Sequence, residues 1–304
     1  MTASTCLAAD PAHPAHPTHP VRPSAGWVPS SPCTPGCLPA ASGPCSGRMR
    51  VATRLVGLFA VLLGAVLGAP LLPGSMRAGW LRGCCRAALR AMGVRLRISG
   101  AHRYTGNGGV LVVANHVSWI DVLALDAVQP VRMLAKREMR DWPVIGGLAT
   151  RAGALFVDRA GLRTLPTTVA ATADALRSGA AVGVFPEGTT WCGAAAGSFR
   201  RAAFQAAIDA GAAVRPVAIT LRRPDGGGTG RAAAFVGDQT LWDSLLRILR
   251  LPGLICELTV LPVIPAGAAA DRRELARWAG ERIAEVTGVD HQATTRAAAV
   301  PQAA

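Results

Sequence analysis

The chain divides into two patterns of apolar and polar positions. Residues 55–72 form an apolar run without a charged side chain, and its length is about the minimum for crossing a bilayer. Residues 75–92 are amphipathic instead, with three arginines recurring every four positions on one helical face, Arg82, Arg86 and Arg90. Together they predict membrane-anchoring helices over residues 49–93. A secretory signal, or a helix that lies in the cytoplasmic leaflet instead of spanning the bilayer, is the alternative for the first segment. A surface helix packed on its own domain is the alternative for the second.

After Gly93 the apolar residues recur in the shorter segments of an alternating α/β chain. A strand pattern begins at Val94, and further strands are predicted at 109–114, 131–135, 154–158, 180–185, 213–220, 231–236 and 254–263. Helices are predicted at 118–128, 138–150, 163–178, 199–210, 240–250 and 271–286. This order predicts an α/β fold over residues 94–290, a mostly parallel sheet flanked by helices. Active sites of such sheets lie at the carboxyl ends of the strands.

The two ends of the chain lack any helical or strand period. Residues 1–48 are dense in Pro, Ser, Ala and Cys, and we expect a disordered low-complexity tail there. A metal-binding His/Cys tail is the alternative. Met49 is a candidate true start, because arginines and then the apolar run follow it directly. Residues 291–304 are rich in alanine, and we expect a second disordered tail.

The excess of basic residues suggests an anionic partner but does not identify it. The formal net charge is +14, and Lys136 is the only lysine, so almost all of the positive charge is arginine. This charge suits an anionic bilayer or nucleic acid, and it equally suits a genome biased towards arginine codons. Arginines flank the apolar run on both sides, so the positive-inside rule does not set its orientation.

The eight cysteines predict neither a disulfide framework nor a metal site. Cys33 and Cys37 stand four positions apart, but no nearby histidine or cysteine completes a recognised zinc spacing. The later four are an adjacent pair and two isolated residues, and they favour a reducing compartment; they are Cys84, Cys85, Cys192 and Cys256. We therefore expect no bound metal.

Polar clusters stand where three predicted strands end, at residues 115–121, 153–159 and 185–189. In the first, Ser118 is placed to cap the following helix and Asp121 lies in the first turn of that helix. The Asp121 carboxylate can therefore reach the His116 imidazole, fix its tautomer and leave the other ring nitrogen free to take a proton. The cluster predicts His116 as a general base, with a buried structural histidine as the alternative.

The same clusters resemble the motifs of the 1-acyl-glycerol-3-phosphate acyltransferases, a family of glycerolipid acyltransferases. Asn-His-x-Ser-x-x-Asp stands at residues 115–121, Gly-x-x-Phe-x-x-Arg at 153–159 and Phe-Pro-Glu-Gly-Thr at 185–189. A proline beside apolar residues on a late strand, at 216–217, matches the fourth motif of the family. The four motifs occur in the order of the family and the resemblance covers roughly residues 75–265.

The resemblance implies a role for each matching residue. His116, paired with Asp121, is implied to deprotonate the acceptor hydroxyl, which then attacks the thioester of acyl-CoA or acyl carrier protein. Arg159 is implied to bind the acceptor phosphate, and Lys136, at the end of a neighbouring predicted strand, is a second phosphate candidate. No cofactor is expected beyond the acyl donor as co-substrate. The other expected substrate-binding residues are Glu187, Gly188, Thr189, Ser118, Gly153 and Phe156.

The expected activity is conversion of lysophosphatidic acid into phosphatidic acid at the cytoplasmic face of the cell membrane. Membrane phospholipids and the acyl donor are the expected partners. Another lysolipid or glycerol-3-phosphate as acceptor is left open by the motifs. The alternative from a different class is a non-catalytic protein that binds anionic membranes, although lipid adhesion needs no base and no carboxylates. Nucleic-acid binding is not expected, because Tyr104 is the only tyrosine and base stacking needs aromatic positions.

Overall fold

The computed structural model of the chain describes residues 30–39, 47–104, 108–158, 162–224 and 230–291. Two helices, α1 (Arg48–Leu71) and α2 (Gly74–Ala91), precede an α/β domain. The strands of this domain are β1 (Val94–Gly100), β2 (Val110–Ala114), β3 (Arg132–Lys136), β4 (Leu155–Val157), β5 (Ala181–Val184), β6 (Ala213–Arg222) and β7 (Leu254–Val260). Its helices are α3 (Ile120–Val128), α4 (Ile145–Arg151), α5 (Leu165–Arg177), α6 (Ala202–Asp209), α7 (Leu241–Arg250) and α8 (Arg272–Thr287).

The strands of the described residues form one sheet in the order β1-β7-β6-β2-β5-β3-β4. Neighbouring strands are parallel except β6 and β7, which are antiparallel. The structure thus confirms the predicted fold class, a mostly parallel sheet flanked by helices. Strand β2 lies at the centre, and because both of its faces are covered, its sequence is an unbroken apolar run rather than an alternating one.

Two apolar cores cover the two faces of the sheet. Alternate residues of β2 point to opposite sides, as the period of a strand requires. Val110 and Val112 belong to the core that includes residues of α2, α3 and α7. Leu111 and Val113 belong to the core that includes residues of α5, α6 and α8. The ends of β2 and its neighbours are therefore held rigidly, which is the condition for a precise site at that edge.

Helix α1 is the one helix of the described residues that is long and apolar enough to cross a membrane, over Arg48–Gly68, and that stretch is 0% buried. Large apolar side chains on it face outwards, with Phe59 68% and Leu67 58% exposed. At its start, Arg54 Nη1 donates to the carbonyls of Leu249 (2.9 Å) and Leu251 (2.7 Å), at the carboxyl end of α7. A charged residue therefore ties the apolar helix to the α/β domain, where the dipole of α7 also favours a cation.

Helix α2 packs on the domain through part of its surface. Cys85 and Leu89 are buried in the core, and Arg86 Nε donates to the carbonyl of Ala127 at 2.7 Å, near the end of α3. Arg82 and Arg90 remain exposed. The basic face predicted from the sequence is thus divided: one arginine secures α2 to the domain and two face outwards.

Two predicted elements differ from the structure. The strand predicted at 231–236 is absent, and the 3-10 helix Arg231–Ala233 stands there, because a run of alanines at 232–234 has little preference for strands. The helix predicted at 138–150 is divided into the 3-10 helix Arg137–Asp141 and α4. Pro143 causes this break, because the residue before a proline avoids the helical region, and Trp142 has ψ 130°.

Candidate active site

The site forms where β2 and β5, which are parallel neighbours, end at the same edge of the sheet. His116 follows β2 and Glu187 follows β5. The backbone N–H of His116 donates to Glu187 Oε2 at 2.7 Å, so the two motifs are joined directly. Glu187 is only 4% exposed, and this burial raises the pKa of its carboxyl group against the lowering effect of the nearby His291.

Asp121 organises the turn that carries His116. Its Oδ2 atom lies 3.0 Å from His116 Nδ1 and also accepts the backbone N–H groups of Val117 (2.7 Å) and Ser118 (2.8 Å). The Asp121 side chain is fully buried, whereas that of His116 is 17% exposed. Because Nδ1 faces the carboxylate, Nε2 is the ring nitrogen that can exchange a proton with a substrate.

Further contacts fix the ring and main chain of His116. The ring stacks on Phe185 with ring centroids 3.8 Å apart and planes inclined by 7°. The carbonyl of His116 accepts the backbone N–H of Trp191 at 2.9 Å. The third motif therefore supplies a stacking surface, a carboxylate and, through the loop that follows it, a backbone donor. An imidazole held on three sides in this way loses little entropy when it reacts.

Asn115, the first residue of the first motif, extends the pairing of β2 with β6 beyond the end of the strand. Its Nδ2 donates to the carbonyl of Ile219 at 2.9 Å, and its Oδ1 accepts the N–H of Ile219 at 2.8 Å. The side-chain amide thus replaces a peptide group of the ladder while the main chain turns away towards His116. This is a positioning role that the sequence did not reveal.

Sequence reasoning missed His291, which it placed at the start of the C-terminal tail. This residue is 3% exposed, and its Nδ1 lies 3.3 Å from Glu187 Oε1. Its ring also contacts Phe199, with centroids 4.7 Å apart. No local pattern marks it, because it follows α8 at the far end of the described chain. The fold alone brings it to the site.

A cleft opens beside His116, with a cavity volume of about 120 Å³. The residues that line it include His116 and Glu187, together with two arginines at and beyond the end of β6, Arg222 and Arg231. Arg222 pairs with Glu257 at 2.7 Å. The volume is well below that of pockets enclosing a drug-sized ligand, about 300–1,000 Å³. The cleft therefore suits the polar end of a molecule whose apolar part lies outside it.

Ser118 does not act as the predicted cap of α3. The N-cap is Trp119, without a side-chain hydrogen bond, and Ser118 Oγ is buried without a partner among the described residues. The reason is that α3 begins only at Ile120, and the Asp121 carboxylate accepts the backbone N–H of Ser118. The carboxylate thus binds the turn that precedes α3, and no side chain of the described residues caps the helix itself.

The remaining predicted residues lie along the same edge of the sheet but do not line the cleft. Gly188 and Thr189 form the turn after β5, and Gly188 has φ 77°, which favours glycine. Lys136 is exposed at the end of β3, and Phe156 pairs in register with Ala135.

The second motif is described only in part. Gly153 has φ 77°, and its carbonyl accepts Arg132 Nε at 2.9 Å. Arg159, the predicted phosphate ligand, lies outside the described residues.

Comparisons with known proteins agree with this geometry. Residues 95–220 match the family model described as Acyltransferase. The 1-acyl-sn-glycerol-3-phosphate acyltransferase of Neisseria gonorrhoeae is 36% identical over 205 residues, which cover 67% of this chain and 79% of that protein.

The chain belongs to the 1-acyl-sn-glycerol-3-phosphate acyltransferase family.

This acyltransferase is also similar to a relative named for another lipid. The lyso-ornithine lipid O-acyltransferase of Pseudomonas aeruginosa is 36% identical over 241 residues, covering 76% of this chain and 89% of that protein. The crystal structure of the 1-acyl-sn-glycerophosphate (LPA) acyltransferase from Thermotoga maritima is similar in fold, with a TM-score of 0.62 at 17% identity, over 80% of this chain and 95% of that one.

All the site residues predicted for the acyltransferase lie within residues 95–220, the part that matches the family model. His291, Arg222 and Arg231 lie beyond that part, although the fold brings them to the same cleft. The site of this chain is therefore built from the shared motifs and from further residues that the family match does not include.

Proposed function

We propose that the acyltransferase transfers a fatty acyl group from acyl-CoA or acyl carrier protein to the free hydroxyl of lysophosphatidic acid, giving phosphatidic acid. The observation that carries this proposal is the pair of His116 and Asp121 at the cleft, with Nδ1 3.0 Å from the carboxylate and Nε2 left for the substrate. A base held in this way can take a proton from a hydroxyl, which is the step that transfer to a lysolipid requires.

In this reaction His116 Nε2 accepts the hydroxyl proton as the acceptor oxygen attacks the thioester carbonyl carbon. The C–S bond then breaks, and the imidazolium returns its proton to the departing thiolate. The protein forms no covalent bond with the acyl group. The buried Asp121 carboxylate stabilises the transient imidazolium through a charge-assisted hydrogen bond.

Three positively charged residues are proposed to bind the acceptor phosphate. Arg159 is the first candidate through its motif, and Lys136 is the second because β3 ends at the same edge of the sheet. Arg231 joins them, since it lines the same cleft as His116. Glu187, Gly188 and Thr189 form the turn that would face the glycerol end of the acceptor.

The cleft and the first two helices together suit a substrate that stays partly in a bilayer. Outward-facing apolar residues occur on α1 and α2, including Phe59, Leu67 and Met76. The exposed Arg82 and Arg90 suit the headgroups of anionic phospholipids. Because both acyl donors are soluble carriers made in the cytoplasm, we place the reaction at the cytoplasmic face of the cell membrane.

A second candidate acceptor is a lyso-ornithine lipid. It is favoured by the similarity to the Pseudomonas aeruginosa enzyme, which covers more of this chain than the Neisseria gonorrhoeae match does. The two acceptors present different charges, since ornithine carries an amine and a carboxylate where lysophosphatidic acid carries a phosphate. The phosphate is the better match for a cleft that two arginines line together with the base.

The test is a competition between acceptors with the full-length protein in membranes. Labelled acyl-CoA, and in parallel acyl carrier protein, are supplied with lysophosphatidic acid, a lyso-ornithine lipid or glycerol-3-phosphate. We expect phosphatidic acid to form with the highest kcat/KM. Faster acylation of the lyso-ornithine lipid would favour the second candidate, and no transfer to any acceptor would contradict the proposed activity.

A further inference from the structure

Three cysteine thiols from distant parts of the chain meet beside the cleft. Cys33 and Cys37 come from the segment that precedes α1, and Cys192 comes from the loop after the Phe-Pro-Glu-Gly-Thr motif. Their sulfur atoms all lie within 4.8 Å of one another. Cys33 is 5% and Cys192 4% exposed, and Cys37 is half-buried at the edge of the cluster. Cys33 and Cys192 are separated by 159 positions, so no spacing in the sequence could reveal this cluster.

The main chain around these sulfurs is arranged as a set of donors. The N–H of Cys192 points to Cys33 Sγ at 3.4 Å, and the N–H groups of Ala194 and Ala195 donate to Cys192 Sγ. A short 3-10 helix, Pro35–Cys37, holds Cys37 one turn from Cys33. Amide donors to sulfur stabilise thiolates, and donors of this kind are common around thiolates that bind metals.

The cluster also favours a negative charge on one of its sulfurs. Hydrogen bonding from Cys33 lowers the pKa of Cys192, and the same bond together with burial raises the pKa of Cys33. The proton of this hydrogen bond therefore lies on Cys33, and Cys192 is the thiol that loses its own proton more readily. A cation that replaced this proton would satisfy both sulfurs at once.

We propose that Cys33, Cys37 and Cys192 form a binding site for a thiophilic divalent cation, Zn²⁺ being the expected ion. Tetrahedral Zn–S bonds of about 2.3 Å place sulfurs about 3.8 Å apart, so the thiols need to move by no more than about 1 Å. The Cys33 and Cys37 pair has the Cys-x3-Cys spacing found in many zinc sites. The fourth position is taken by water or another small ligand.

Such an ion would connect the N-terminal segment to the active site without taking part in acyl transfer. Cys192 directly follows Trp191, whose backbone N–H donates to the carbonyl of His116. The same loop brings the N–H of Gly197 to Glu187 Oε1 at 3.4 Å. Fixing Cys192 therefore fixes the loop that contacts both His116 and Glu187. The site does not depend on which lysolipid is the acceptor.

The test measures metal on the wild-type protein and on matched variants. Full-length protein is purified anaerobically after growth with added zinc. Bound metal is then measured by inductively coupled plasma mass spectrometry. We expect about one zinc per chain, and loss of most of it in the variants Cys33→Ser, Cys37→Ser and Cys192→Ser. Cys84→Ser is the matched control, because this thiol lies on α2 apart from the cluster, and it should keep its zinc.

Two measurements on the wild-type protein test the proposal even if the variants do not fold. Adding Zn²⁺ to the metal-free protein should release protons into the solution and should protect the three thiols but not Cys84 from alkylation. Wild-type protein that binds no zinc, or a triple Cys→Ser variant that binds as much as wild type, would overturn the proposal. A disulfide between Cys33 and Cys192 in the anaerobically purified protein would overturn it as well.

Discussion

Replacing Asp121 with asparagine separates the charge of this residue from its position. In the wild type, Asp121 Oδ2 accepts the N–H groups of Val117 and Ser118 as well as facing His116 Nδ1. An asparagine can turn either its oxygen or its NH₂ group towards these donors. Turning the NH₂ group inwards would leave two buried amides without an acceptor, at about 1–3 kcal/mol each.

The structure therefore predicts that the asparagine oxygen takes the place of Oδ2. The correct tautomer of His116 is then kept, and only the negative charge opposite the imidazolium is lost. A hydrogen bond to a charged group contributes about 1.5–3 kcal/mol, so kcat should fall roughly 10- to 150-fold. A lower melting temperature is also expected, because the N–H groups of Val117 and Ser118 would then donate to a neutral oxygen instead of a charged one.

The assay compares kcat and KM of wild type, Asp121→Asn and Asp121→Ala, with circular dichroism and thermal melts as folding controls. Asp121→Ala should lose more activity than Asp121→Asn, because alanine removes the acceptor for Val117 and Ser118 and frees the His116 ring. Equal losses in the two variants, both well folded, would show that the backbone amides do not orient the side chain. Full activity of Asp121→Asn would show that the charge plays no part.

Three further predictions concern binding and stability. Arg159→Ala should raise the KM for the acceptor and leave the KM for the donor unchanged, with the exposed Arg163→Ala as control. Arg54→Ala should lower stability by about 1–3 kcal/mol, measured in thermal melts against Arg48→Ala, because it removes hydrogen bonds to α7. Burial raises the pKa of Asp126 from 3.8 to about 7. The folded state then holds a proton that the unfolded state loses, so stability falls as pH rises through this range, and Asp126→Asn should remove that part of the decrease.

Each of these predictions can be contradicted separately. A rise in the KM of the acyl donor alone would show that Arg159 does not bind the acceptor phosphate. Equal melting temperatures of the Arg54 and Arg48 variants would mean that the contact with α7 does not hold α1. A wild-type protein and an Asp126→Asn variant with parallel pH profiles of stability would show that Asp126 does not titrate in this range.

The residues that carry chemistry were predictable because they stand next to strong local signals. His116 and Glu187 follow apolar strands, and parallel strands end at one edge, so their proximity follows from the strand pattern. The contact of Asp121 with His116 follows from its place in the first turn of a helix. The place of Arg231 and His291 in the cleft was not predictable, because the first stood in a segment predicted as a strand and the second at the start of the predicted C-terminal tail, with no polar motif around either residue.

One of the two errors in the predicted fold also reflects tertiary contacts. Alanine-rich sequence at 231–236 fits several conformations. Its 3-10 helix forms because the N–H groups of Gly230 and Phe235 donate to the carbonyls of Leu221 and Val117.

The cluster of Cys33, Cys37 and Cys192 depends on a contact over 159 positions. Spacing rules for metal ligands consider residues close in sequence, so they cannot detect a site that the tertiary fold assembles.

The most direct test of the central claim is the formation of phosphatidic acid by wild type and by His116→Ala, with each protein in the same membranes at the same level. Loss of the base should lower kcat by about 100- to 10,000-fold while the variant remains bound to the membrane. Product from the wild type alone is the result that the proposed mechanism predicts. A His116→Ala protein that keeps most of its activity would show that another group accepts the hydroxyl proton.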